Sequence, residues 1–131
     1  MEYLIGLVLA LVFSVFATLV GLDRDRGFYP TVMIVIALLY VLFAVMGGSN
    51  QALAIELVPS LGFIIAATAG FKRNLWLVVG ALAGHGIYDF FHGYLFTTPG
   101  VPSFWPTFCS AYDVAAAGYL AWLLKSSKIE A

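Results

Sequence analysis

Gly84-His85-Gly86-Ile87-Tyr88-Asp89-Phe90-Phe91-His92 places both histidines of the chain, and one of its seven carboxylates, inside an otherwise apolar run. Read as a helix, His85 and Asp89 are four residues apart and Asp89 and His92 three, so all three project from one face. Whether that face belongs to a soluble enzyme or to a membrane helix decides the fold, and the flanking sequence answers. The run extends over about 75–96, close to the ~20 residues a helix needs to cross the hydrocarbon core.

Four more runs of this kind cover about 3–22, 28–46, 51–70 and 107–124. Asp23-Arg24-Asp25-Arg26 ends the first, Gly47-Gly48-Ser49-Asn50 turns the chain after the second, and Lys72-Arg73-Asn74 closes the third. Pro30 falls in the first turn of its run, where a missing N–H matters least. Thr97-Thr98-Pro99-Gly100-Val101-Pro102-Ser103 and Trp105-Pro106 read as an interfacial loop. Hydrophobic residues make up 63% of the chain and charged residues 10%, against ~25% charged in soluble domains. The expectation is an all-α membrane protein, a single polytopic domain over residues 1–131, built as a bundle of five transmembrane helices in the cell (plasma or inner) membrane. Met1-Glu2-Tyr3-Leu4 lacks the positive charge of a signal peptide and the following run is too long for one, so it is expected to stay as the first span.

Charge sets the orientation. Arg24 and Arg26 lie between spans one and two, Lys72 and Arg73 between three and four, and Lys125 and Lys128 after five. With five spans these three places share a side, which the positive-inside rule makes cytoplasmic, with the N-terminus outside and the C-terminus inside. Four spans would split the same charges between both faces. A net charge of −1 leaves no basic patch and excludes nucleic acid as a partner. Cys109, as the only cysteine, rules out an internal disulfide and any CxxC pair. The repeats Gly80-xxx-Gly84 and Gly62-xxx-Ala66-xxx-Gly70 are expected to let neighbouring helices approach closely.

Glu2, Asp23, Asp25 and Glu130 belong to ends or loops, whereas Glu56, Asp89 and Asp113 fall inside spans. An ionisable group in the hydrocarbon region costs at least ~2.5 kcal/mol, so each of these needs a partner or a function. Counted inward at about 1.5 Å per residue, Glu56, Asp89, His92 and Asp113 share a band roughly 8–12 Å below the outer surface. Tyr40 reaches the same band, and His85 lies one turn deeper. Three helices thus bring acids and imidazoles to one level, with Asp89 as the expected centre. Pro59, one turn beyond Glu56, is expected to kink span three, and Cys109 reads as a small buried hydrophobe.

Imidazole and carboxylate donors together suit a divalent transition metal, zinc or iron first, with copper and manganese as further candidates. The expected ligands are His85, Asp89, His92, Glu56 and Asp113, around one ion or around two bridged by Asp89. The pattern His-x3-Asp-x2-His resembles the ligand pattern of membrane-embedded zinc hydrolases such as the alkaline ceramidases and the progestin/adipoQ receptors. Those families draw their histidines from more than one helix; here both come from span four. The expected chemistry is activation of water against an ester or amide, with Asp89 and Tyr88 as catalytic residues, Tyr88 as oxyanion donor. The substrate would be a membrane lipid or another hydrophobic small molecule; an oxidoreductase would need an open iron or copper position instead. Two other classes remain: a proton or cation transporter or channel assembled as a homo-oligomer, and a non-catalytic accessory subunit whose acids and histidines satisfy one another. Transport through a single chain is disfavoured, because spans three and four offer no polar string from the cluster toward the cytoplasm.

Overall fold

The computed structural model describes residues 1–95 and 100–131. Phe96, at the end of the fourth apolar run, and loop residues Thr97, Thr98 and Pro99 lie outside the described residues. Among those described there are five α-helices: α1 (Glu2–Val20), α2 (Phe28–Met46), α3 (Asn50–Lys72), α4 (Trp76–Leu95) and α5 (Trp105–Lys125), with a 3-10 turn at Leu22–Arg24. The protein is all-helical, as its apolar runs require. Helices α1, α2 and α3 are long and apolar enough to cross a membrane.

Local chemistry accounts for the helix ends. Gly21 stops α1 in the left-handed region, at φ 86° and ψ 10°, and its N–H returns to the Ala17 and Thr18 carbonyls, a conformation glycine adopts without a Cβ penalty. Asp25 accepts from the Gly27 N–H at 2.8 Å just before α2. Ser49 caps α3 by accepting from the Ala52 N–H at 3.1 Å, and Asn74 accepts from the Trp76 N–H at the start of α4. Pro30 and Pro106 sit in the first turns of their helices. Pro59 lies inside α3, which continues through it from Asn50 to Lys72.

Around the bundle, α1 packs on α5, α5 on α4, α4 on α3 and α3 on α2, and α2 also touches α4. Large apolar side chains face outward: Leu4, Val12 and Leu19 of α1, Val58 and Ile65 of α3, and Ile87 and Phe90 of α4 are all exposed. The buried set instead includes Glu56, His85, Asp89, His92 and Asp113. Exposed large apolar side chains beside buried ionisable ones depart from the distribution of a soluble domain and suit a lipid environment.

The interior divides into two halves along the bundle. Met33, Leu75, Val78, Leu82, Leu120 and Leu123 belong to an apolar core, in the half that carries the α1–α2 and α3–α4 connections. Glu56, His85, Asp89, His92 and Asp113 occupy the other half. The small-residue repeats mark close helix approach at one position only, Gly70: a Cβ on Gly62 or Gly80 would meet open space, and one on Gly84 only Phe63 at ordinary contact distance. Two further tight positions lie outside the repeats. At Gly86 a Cβ would lie 2.7 Å from Val114 Cγ2 and 3.2 Å from the Ser110 carbonyl, and the Ser110 hydroxyl donates to the Gly86 carbonyl at 2.9 Å. Gly70 gives the same access to Val78, and Gly6 to the Phe108 carbonyl.

Candidate metal centre

His85, Asp89 and His92 project from one face of α4, and the neighbouring helices turn that face into two hydrogen-bonded groups. Gly86 allows α5 to lie against α4, and this contact carries Asp113 to His85. His85 Nδ1 is 2.7 Å from Asp113 Oδ2 and 3.2 Å from Asp89 Oδ2. One ring nitrogen therefore serves two carboxylates. The shared atom of this group is His85 rather than Asp89, the centre expected from spacing alone. One nitrogen, with a donor atom from each of Asp89 and Asp113, lies within 4.8 Å of the others, and all three residues are buried.

The second group belongs to α3 and α4. His92 Nε2 meets Glu56 Oε2 at 2.7 Å, and the Tyr88 hydroxyl donates to Glu56 Oε1 at 2.8 Å. Ser60, one turn beyond Glu56, donates to the Ala37 carbonyl at 2.9 Å and fastens α3 to α2. The five expected ligands are thus brought together in one half of the bundle, divided as His85, Asp89 and Asp113 on one side and Glu56 with His92 on the other.

Tyr40 of α2 lies between these groups. Its ring stacks on His92 with centroids 3.9 Å apart and 6° between planes, meets Tyr88 edge-on at 5.7 Å, and faces His85 at 6.2 Å. Phe63 closes the opposite face of His85, edge to face at 4.7 Å. Depth counting brought Tyr40 to this level; neither its stacking nor the Phe63 contact carries a signal in residue spacing.

Four buried polar atoms of the described residues have no hydrogen-bond partner, and two of them are Asp89 Oδ1 and Asp113 Oδ1; the Tyr40 hydroxyl, a neighbour of Asp89, is a third. Orphaned acceptors in a water-free interior are costly unless something occupies the space they face. A tetrahedral ion with bonds of ~2.0–2.2 Å holds its ligand atoms about 3.3 Å apart. The His85 to Asp89 separation already has that value, and the His85 to Asp113 pair has to open by about 0.6 Å. The donor set therefore fits a divalent transition metal, with the metal's identity left open by one nitrogen and two carboxylates. No family model, curated protein or solved structure matches the chain.

A groove with a volume of about 650 Å³ lies between α2 and the paired α1 and α5, with Phe13, Phe28, Val35, Trp105, Cys109 and Asp113 in its wall. It is apolar along most of its length and meets the polar half of the bundle at Asp113. Cys109, one turn from Asp113, is buried and free.

Proposed function

We propose that all five helices span the membrane, N-terminus outside and C-terminus cytoplasmic, and that His85, Asp89 and Asp113 hold a divalent transition metal serving a hydrophobic substrate. Helices α4 and α5 have 20 and 21 residues, enough to span. Their apolar character is lowered by His85, Asp89, His92 and Asp113, side chains that point into the bundle and not toward lipid. Arg26 draws the basic connections together at one end, donating to the Gly70, Phe71 and Ala131 carbonyls. That clustering supports a cytoplasmic assignment for this end.

The observation that carries the metal reading is the convergence of three buried donor atoms within 4.8 Å, flanked by two carboxylate oxygens with no partner. A bound metal would supply Lewis acidity and an activated water. The chain's own residues have separable tasks. Asp113 stands where the groove meets the site, so it is the first ligand a substrate from lipid would approach. Glu56, held by Tyr88 and His92, is the nearby base, and these hydrogen bonds fix its orientation. The enclosing aromatic rings of Tyr40 and Phe63 exclude water. The substrate class follows from the groove: a lipid or a comparably apolar molecule of a size suited to an ordinary ligand pocket, ~300–1,000 Å³.

Elemental analysis of purified protein tests the reading. About one zinc, iron, copper or manganese per chain is expected, falling to background in Asp113→Asn while the helical content persists. Wild-type protein that is metal-free as purified and takes up none of these ions on titration would overturn it.

A further inference from the structure

A second polar site lies at the other end of the bundle, at Asp23 in the connection between α1 and α2. Although it belongs to a loop, Asp23 is 3% exposed. The Thr18 hydroxyl donates to Asp23 Oδ2 at 2.5 Å, and Thr18 Oγ1 lies 2.6 Å from the Tyr119 hydroxyl. A carboxylate only accepts, so the single Thr18 proton goes to Asp23 and Tyr119 donates to Thr18. Tyr29 of α2 is 2% exposed, and its hydroxyl faces the Ser14 side chain and Asp23 without reaching hydrogen-bond geometry with any of the described residues. Among the described residues Asp23 forms no ion pair; the nearby Arg26 guanidinium is engaged by backbone carbonyls.

This placement is adverse for an uncompensated anion. Asp23 follows directly on the C-terminus of α1, the negative end of that helix's dipole, which favours cations. Asp25, by contrast, faces the N–H groups at the start of α2. Buried, without a counter-charge and beside a helix C-terminus, the Asp23 carboxylate meets every condition that calls for a bound positive charge. The surrounding donors define which one. Thr18, Tyr119, Tyr29 and Ser14 offer neutral oxygens, and no nitrogen or sulfur donor stands among these residues, so a hard cation is favoured over a transition metal. One carboxylate neutralises one charge, whereas a divalent ion would leave an excess in the interior.

We propose that Asp23, Thr18, Tyr119 and Tyr29 form a binding site for a monovalent alkali cation, independent of the His85 centre. Tyr29 is the discriminating residue. As a ligand its hydroxyl contributes affinity; as a bystander it is an unpartnered buried polar group whose removal is neutral or stabilising.

Thermal unfolding of the detergent-purified full chain in sodium, potassium or choline chloride, at matched ionic strength, tests the site. Wild type is expected to gain stability saturably with sodium or potassium and not with choline, following the linkage of binding to folding. Asp23→Asn abolishes the response. Tyr29→Phe raises the midpoint of the alkali dependence by about tenfold, the loss expected for one oxygen ligand to a charged group, while its stability in choline equals or exceeds that of wild type. Identical wild-type unfolding in all three salts overturns the proposal, as does an alkali response that survives in Asp23→Asn. If Asp23→Asn does not fold, an unchanged midpoint in Tyr29→Phe is sufficient to reject it.

Discussion

Gly86→Ala probes the contact that builds the candidate centre. The new Cβ would stand 2.7 Å from Val114 Cγ2, 3.2 Å from the Ser110 carbonyl oxygen and 3.4 Å from Asp113 Cβ. Carbon atoms prefer ~3.5–4.0 Å, so the Val114 methyl must retreat by about 1 Å, and a β-branched side chain on a helix has few rotamers to retreat into. The Ser110 carbonyl is backbone, and moving it moves α5. Overpacking of this kind costs ~1–3 kcal/mol, offset by the ~1 kcal/mol that alanine gains over glycine in a helix. The net expectation is destabilisation of about 1 kcal/mol. The effect on the site is larger than that figure suggests, because α5 carries Asp113. Where the crowding at Val114 is relieved by moving α5 and not the side chain alone, a shift of about 1 Å takes the 2.7 Å bond from Asp113 to His85 past hydrogen-bond range. Thermal unfolding in detergent, together with metal content, reads both effects. Gly86→Ala/Val114→Ala should recover most of the stability, since the carbonyl contact alone requires only a few tenths of an ångström. A Gly86→Ala protein as stable as wild type and with unchanged metal content would refute the argument that Gly86 sets the α4–α5 distance.

Glu56→Gln removes the charge facing His92 and should destabilise by ~3–5 kcal/mol, the range for breaking a buried pair; chemical denaturation measures it, and a loss under ~1 kcal/mol would mean the pair is neutral. Tyr40→Phe keeps the ring stack and deletes an unpartnered hydroxyl, so stability should hold or rise, whereas Tyr40→Ala should lose ~3–5 kcal/mol as for other large-to-small core changes. Cysteine-accessibility labelling in intact cells, in a Cys109→Ala background, tests the topology: Ser49→Cys should label from outside and Lys72→Cys only after permeabilisation. Labelling of both from one side would refute five spans.

The helices were legible in the sequence because a run of apolar residues near the span length, closed by Gly21, Ser49 or Asn74, admits few other structures. The polar half was legible as well, since Glu56, Asp89, His92 and Asp113 stand out against an apolar background and can be counted along their helices. Partner choice was not. Spacing places Asp89 between the two histidines, but it does not reveal that Gly86 brings α5 close enough for His85 to take Asp113, nor that Glu56 faces His92 across the α3–α4 contact. The small-residue repeats were right at Gly70, which lies against Val78, and misled at Gly62 and Gly80, which have the right spacing but open space beside them; which glycine is used depends on which face each helix presents. Asp23 lies in the connection after α1, as its place in the sequence suggests, but its burial there was not legible, because it depends on the contacts that Thr18 of α1 makes with Asp23 and with Tyr119 of α5.

Five ionisable side chains in one half of the bundle do not stabilise it in any obvious way, since apolar replacements for buried ion pairs are often neutral or favourable, and the opposite half packs well with leucine, valine and methionine. Their charges also fail to cancel. Three carboxylates face two imidazoles, so one negative charge is left over even when both rings are protonated. Geometry assigns that excess. Glu56 and His92 balance one for one, with Tyr88 as an added donor. Asp89 and Asp113 share the one nitrogen of His85, and it is their Oδ1 atoms that lack partners. The missing positive charge therefore belongs to the His85, Asp89 and Asp113 group and not to its neighbour. A divalent metal ion held by both carboxylates there would remove the excess, and would satisfy the Oδ1 atoms where each carboxylate binds through both oxygens, while a single proton shared between the carboxylates neutralises the charge but satisfies only part of their acceptor capacity.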